Sequence, residues 1–257
     1  MSISPPLLII ALVSTHGMAW AQLQGQTPQA PAQPAENASA TDELPAWSGE
    51  IKLGWITVRG NSESSTFSIK NKWIHNSHDW RQTYKFDAYN QVSNEQRTGE
   101  KYFASIQGDK KLEEQDYIFA LAEYENNRFG GFAYEFLSAA GYGREIFDTT
   151  IHRLVIEFGP AWRQREENKT HYEDKNLAAR MNINYAMDIS PTATFTEEFT
   201  GELGNEKNVT RSLTQLTTQI NASLAMSLAY AYRRSSVVPA GRKTTDTETT
   251  VSLNYRF

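Results

Sequence analysis

The chain has no cysteine among its 257 residues, so neither a disulfide framework nor thiol chemistry is open to it. It also lacks a long apolar run: nothing after Val13 approaches the roughly 20 apolar residues of a membrane helix. A basic surplus is missing too. The formal net charge is −5 and no run of Lys and Arg or basic helix face occurs, which argues against a nucleic-acid partner. Histidine is sparse, and the one close pair, His75 and His78, falls in an expected turn, where a spacing of three does not bring the rings together as it would on a helix. A mean hydropathy of −0.57 would ordinarily describe a soluble protein. What the chain does have is alternation, and a β-barrel removes the contradiction because only every second residue need face lipid.

The segment Met1 to Ala21 carries a short apolar stretch, Pro6 to Val13, followed by the small-x-small pattern Ala19, Trp20, Ala21, which reads as a secretory signal cut after Ala21. It departs from the usual form in having no Lys or Arg ahead of the apolar stretch. From 22 to 46 the composition turns to Gln, Pro, Ala and small polar residues with no apolar period. Such a segment buries too little to offset its ordering entropy, and reads as a disordered periplasmic linker. The remainder, 47–257, is long enough for one large β domain.

Within it, Leu177, Ala179, Met181, Ile183, Tyr185 and Met187 fall on one strand face and Asn176, Arg180, Asn182, Asn184 and Asp188 on the other. Leu154 to Trp162, Trp80 to Ala88 and Leu224 to Tyr232 alternate in the same way, with period two rather than 3.6. Clusters of Gly, Pro, Asn, Asp and Ser divide the domain into about twelve such strands, each near the 9 to 11 residues that a tilted membrane strand needs. The weakest is Tyr117 to Tyr124, where Glu123 interrupts the better apolar face. The expectation is an all-β transmembrane antiparallel barrel with both termini in the periplasm. Trp47, Trp73, Trp80, Tyr117, Tyr142, Tyr185, Tyr255 and Phe257 would then form one interfacial girdle.

The last strand, TETTVSLNYRF, places Val251, Leu253, Tyr255 and Phe257 on one face. It resembles the terminal assembly signal of bacterial outer-membrane barrels, which implies outer-membrane lipid and the barrel-assembly machinery as partners and the cell outer membrane as location.

The opening WSGEIKLGWITVRGNSESSTFSIKNKW, the central RFGGFAYEFLSAAGYGREIFDT and the following LVIEFGPAWR resemble the salt-induced outer-membrane protein family, a β-barrel family described as a domain of unknown function. The resemblance spans roughly 47 to 257. It implies an outer-membrane barrel linked to osmotic or salt stress, and supplies no catalytic residues.

The alternation assigns Arg81, Lys85, Arg153, Glu157, Arg163, Arg180, Glu198 and Glu202 to a water-facing inner wall of mixed sign. Such a wall would line an aqueous pore, or its ion pairs would fill the barrel; the sequence favours neither. Asn182, on the same wall, would be tolerant of substitution. For chemistry there is little. His75 and His78 fall in an expected turn, His152 stands alone, and His171 lies near Glu173 and Asp174 with no serine identifiably paired to it. The reading is a non-enzyme without cofactor or metal: a small-solute or ion channel, or a structural envelope protein. The alternatives are a lipid-active enzyme using His171 and a soluble periplasmic ligand-binding barrel.

Overall fold

A computed structural model describes residues 46–58, 64–129, 131–205, 207–238 and 243–257. The expected signal segment 1–21, and all but the last residue of the linker 22–46, lie outside the described residues. The chain from Trp47 onward forms β1 (Trp47–Val58), β2 (Ser64–Asn76), β3 (Trp80–Ser93), β4 (Gln96–Lys111), β5 (Asp116–Asn127) and β6 (Phe132–Asp148). It continues through β7 (His152–Glu167), β8 (Glu173–Ser190), β9 (Ala193–Gly204), β10 (Asn208–Gln219), β11 (Leu224–Ser235) and β12 (Thr245–Arg256). Each strand pairs with its sequence neighbours, and β12 pairs with β1 to close the barrel. All pairings are antiparallel, as short connections require.

The strands begin and end where the turn residues place them, but they are longer than a membrane crossing demands, reaching 17 residues in β6 and 18 in β8. The connections are correspondingly tight. Between β3 and β4 only Asn94 and Glu95 intervene, with φ of 48° and 63°, the left-handed pair that a two-residue hairpin turn needs to match strand twist.

Two alternating sets of side chains separate cleanly. Trp55, Phe67, Phe86, Ile106, Phe158, Leu177, Met181, Leu228 and Leu253 are all exposed on the outer surface. The opposite set makes contacts between strands that are not neighbours, which only side chains pointing into the barrel can do. Examples are Lys52 with Gln215 (2.9 Å, β1 to β10) and Gln107 with Glu157 (2.8 Å, β4 to β7).

One element does not follow the simple pattern. Tyr117, expected in the outer girdle, points inward and is 3 % exposed. It packs with Phe119, Leu121, Leu137, Ala139 and Ala161 as an apolar patch on the inner wall of β5, β6 and β7. Strand β5 is thus apolar on both faces, with Ile118 and Tyr124 outside, and this is the reason its alternation is weak in the sequence.

Beside this patch the ladder is interrupted. The β6–β7 ladder skips from Ala139 opposite Ala161 to Tyr142 opposite Phe158, where Pro160 has no N–H to donate. A Cβ on Gly141 would strike the Phe158 carbonyl, and one on Gly159 the Ala140 carbonyl, so the approach is possible only between glycines. Among the described residues the closing seam has the shortest ladder: β1 and β12 pair over Glu50–Gly54 and Ser252–Arg256, extended by the Gly49–Phe257 backbone pair.

Candidate functional site

The inner wall is where charged chemistry collects. At the terminal end of the barrel, Arg81 on β3 binds Asp109 through Nε (2.8 Å) and Glu145 through Nη1 (3.2 Å), with its guanidinium 5.1 Å from the centre of the Tyr117 ring. Arg153 is half-exposed near that same rim, with Nη2 3.4 Å from Asp188. Glu157 lies deeper, accepting from the Tyr117 hydroxyl (2.9 Å), Gln107 (2.8 Å) and Asn182 (3.2 Å). Arg180 adds its charge at 3.6 Å from Glu157. Side chains from three strands, β4, β5 and β8, thereby converge on one carboxylate of β7.

Asn182, expected to be tolerant, is instead 4 % exposed. It donates to Glu157 and accepts from the Thr200 hydroxyl at 2.8 Å. A buried amide with both ends satisfied has no room for a longer side chain.

Across the middle of the lumen the charges meet. Lys85 on β3 stands 3.9 Å from Glu198 on β9. Arg233 on β11 reaches Glu125 on β5 (3.1 Å) and Glu135 on β6 (2.6 Å). Glu202 is shared by Arg163 and Arg211, and Arg163 also faces Glu135 at 3.8 Å. The eight wall residues named from alternation therefore all lie in ion pairs. Arg233, Arg211 and Glu125 complete the crossing, and alternation, which gives a face, does not reveal a partner on the far side.

The last strand carries Val251, Leu253, Tyr255 and Phe257 as exposed apolar side chains. The Phe257 N–H donates to the Gly49 carbonyl (3.1 Å), and the Phe257 carbonyl accepts from the Gly49 N–H (3.0 Å). Its ring lies over Gly49, where a Cβ would collide with it, and edge-on to Trp73 at 5.2 Å between centroids.

The histidines are scattered. His75 lies inside β2 rather than in a turn, with its ring 4.4 Å from that of Trp47. His78 is fully exposed beside Asp79. His152 meets the Tyr185 hydroxyl at 2.9 Å. His171 occupies a rim turn at φ 54°, with Nδ1 2.6 Å from Glu166 rather than from Glu173 or Asp174. Asp174 itself is taken by Arg165. Among the described residues no three His, Cys, Asp or Glu side chains gather as a metal site would require.

Residues 51–257 match the family described as "Protein of unknown function, DUF481". An uncharacterized protein of Escherichia coli (strain K12), YdiY, is 28% identical over 149 residues. That match takes in 58% of this chain, and the chain spans 59% of that relative's length. Among solved structures, an outer membrane channel from Pseudomonas putida F1 superposes with a TM-score of 0.52 at 8% identity, covering 86% of this chain and 100% of that one. The NanC porin gives 0.50 at 10% identity, covering 80% and 98%. At such identities the likeness is one of fold: a closed antiparallel barrel of the outer-membrane kind.

Proposed function

The chain belongs to the DUF481 family, and we propose that it resides in the cell outer membrane and passes small hydrophilic solutes or ions through a lumen held narrow by ion pairs. The observation that carries this reading is an inverted distribution of polarity. Exposed Trp55, Phe86, Phe158, Leu177 and Leu253 cover the outside, while Glu157, Arg163, Arg180 and Glu202 are buried within. A soluble ligand-binding barrel needs the reverse, and in hydrocarbon a closed barrel satisfies its own backbone. The fold shared with an outer membrane channel and a porin supports the same reading, as does the terminal strand, through which we assign recognition by the barrel-assembly machinery. A role in osmotic or salt tolerance, implied by the family resemblance, fits a passage whose closure is electrostatic.

The pairs that cross the lumen support a second reading, a filled barrel that serves the envelope structurally. Single-channel recording of the purified barrel in a planar bilayer decides between them. Discrete conductance steps support the passage; a silent bilayer containing correctly folded, heat-modifiable protein overturns it in favour of the structural barrel. Phospholipid hydrolysis lost on His171→Ala would instead favour the lipid-active enzyme.

A further inference from the structure

The inner wall of β1, β2 and β3 differs in charge from the rest of the lumen. These strands hold two carboxylates, Glu50 and Asp87, against five cations, Lys52, Lys70, Lys72, Arg81 and Lys85. Ladder partners share a face: Lys52 stands opposite Lys70, which stands opposite Asp87, and Glu50 opposite Lys72, which stands opposite Lys85. Lys85 reaches Glu198 across the lumen, so the whole set faces inward. Two of these contacts, Lys52 with Lys70 and Lys72 with Lys85, set like charge directly against like charge, which destabilises a sheet. The carboxylates do not relieve it. Glu50 pairs with Lys52 and with Arg256, each at 3.2 Å, while Arg81 is taken up by Asp109 and Glu145. Lys70 and Lys72 are left without an ion pair among the described residues, and of the two only Lys70 has a carboxylate, Asp87, beside it that is not already engaged. Beyond Lys85 the same row meets its next carboxylate at Glu123, two strands on and past Ser105.

This wall is also wet. Lys72 is exposed although it points inward, and the side chains of Lys52 and Lys85 are 22% and 37% exposed. On β7 and β8, by contrast, Arg163 and Arg180 are 5 % and 6 % exposed. The residue types match the two settings, since a guanidinium suits a fixed buried pair and an ammonium on a flexible stem stays hydrated. We propose that the β1–β3 wall draws small hydrated anions into the lumen through Lys70 and Lys72 and makes the passage anion-selective. Unpaired ammonium groups on a wet, low-dielectric wall focus a positive potential where an ion must pass. An anion lying between them relieves the repulsion in the ladder. The protein as a whole carries −5, so the preference comes from this wall and not from net charge. The proposal deepens the solute-passage reading and rests on it for transport.

Because the chain has no cysteine, Ser105→Cys puts a single thiol on the inner face of β4, directly opposite Lys85. The whole folded barrel in detergent is treated with two methanethiosulfonates of similar size, one carrying a sulfonate and the other a trimethylammonium group. Relative to their rates with a free thiol in solution, the sulfonate reagent should be favoured by about tenfold, the effect of a potential of roughly one kT acting in opposite senses on the two charges. Adding Lys70→Gln with Lys72→Gln should abolish the preference. That double change removes no ion pair among the described residues and relieves repulsion, and heat-modifiable migration checks its fold. Lys110→Gln, on the outer face opposite Trp80, should leave the preference intact. No reaction with either reagent, equal reaction with both, or a preference that survives the double change overturns the proposal. The zero-current potential of the wild-type barrel in a planar bilayer under a KCl gradient separates the two readings. A conducting barrel that does not favour chloride over potassium refutes the anion-selective wall alone, and a silent barrel whose thiol prefers the sulfonate refutes the passage alone.

Discussion

Lys85 and Glu198 belong to strands on opposite sides of a ring of twelve, β3 and β9, and yet their charged ends are 3.9 Å apart. A round barrel of this strand number would be about 24 Å across, from a strand spacing near 4.8 Å and a tilt near 40°. Extended Lys and Glu side chains with that gap between them cover only about 15 Å from backbone to backbone. The cross-section is therefore flattened along the β3–β9 direction, and the Arg233 bridge from β11 to β5 flattens the neighbouring direction as well. The long axis then points toward the β6–β7 and β12–β1 junctions, at the first of which Gly141 and Gly159 let the two backbones approach closely.

If the Lys85–Glu198 pair narrows the passage, Lys85→Gln and Glu198→Gln should each raise single-channel conductance at low salt. The exchange Lys85→Glu with Glu198→Lys should return it toward wild type. Screening shortens from about 10 Å at 0.1 M to about 3 Å at 1 M salt, so wild-type conductance should climb faster than that of the bulk electrolyte over this range. Strict proportionality to bulk conductivity in planar-bilayer recordings would remove the pair from the mechanism.

The outer face of β8 offers a test of membrane register. Met181 and Ile183 alternate with the buried Asn182. Met181→Arg and Ile183→Arg should each cost about 2 to 4 kcal/mol if they lie near the bilayer midplane. Asn182→Ala should cost about 1 to 3 kcal/mol by stripping partners from Glu157 and Thr200. Urea unfolding in lipid vesicles measures all three.

Gly143 lies directly opposite Tyr117, whose ring occupies the space a Cβ would take. Gly143→Val should destabilise the barrel by about 1 to 3 kcal/mol, the usual cost of overpacking. It should also displace the Tyr117 hydroxyl from Glu157. Combining it with Tyr117→Ala should recover part of the loss in the same unfolding assay.

Deletion of Phe257 removes both backbone hydrogen bonds to Gly49 and the ring that covers it. The variant, and the double change of Tyr255 and Phe257 to Ser, should be degraded before reaching the outer membrane. Normal levels in isolated outer membranes would detach the terminal strand from assembly.

The strands were legible in the sequence because period two is a local property: Leu177 to Met187 reads correctly with no knowledge of its neighbours. Tyr117 was misplaced for the converse reason. Aromatic residues near strand ends suit an interface, and only pairing with Gly143 and Glu157 across three strands turns this ring inward. The wall charges were found as a face but not as pairs. Arg153, Arg163 and Arg180 look interchangeable in sequence, whereas the first is half-exposed and the other two are buried against Glu202 and Glu157. Reversing those two would set carboxylate against carboxylate and disturb folding before it altered selectivity. Partners on opposite strands follow from closure and flattening, which no local pattern encodes.

The shortness of the closing seam has a mechanical consequence. Among the described residues, β12 is laddered to β11 from Thr245 to Tyr255 but to β1 over only Ser252 to Arg256. Every other junction is a hairpin whose strands remain tethered when they separate; this one joins the two ends of the domain and has no connecting turn to hold it. Under heat or a pulling force the cylinder should part along this line first and unroll as an open sheet, with amide hydrogen exchange spreading outward from the β12–β1 seam while β6, β7 and β8 are still protected.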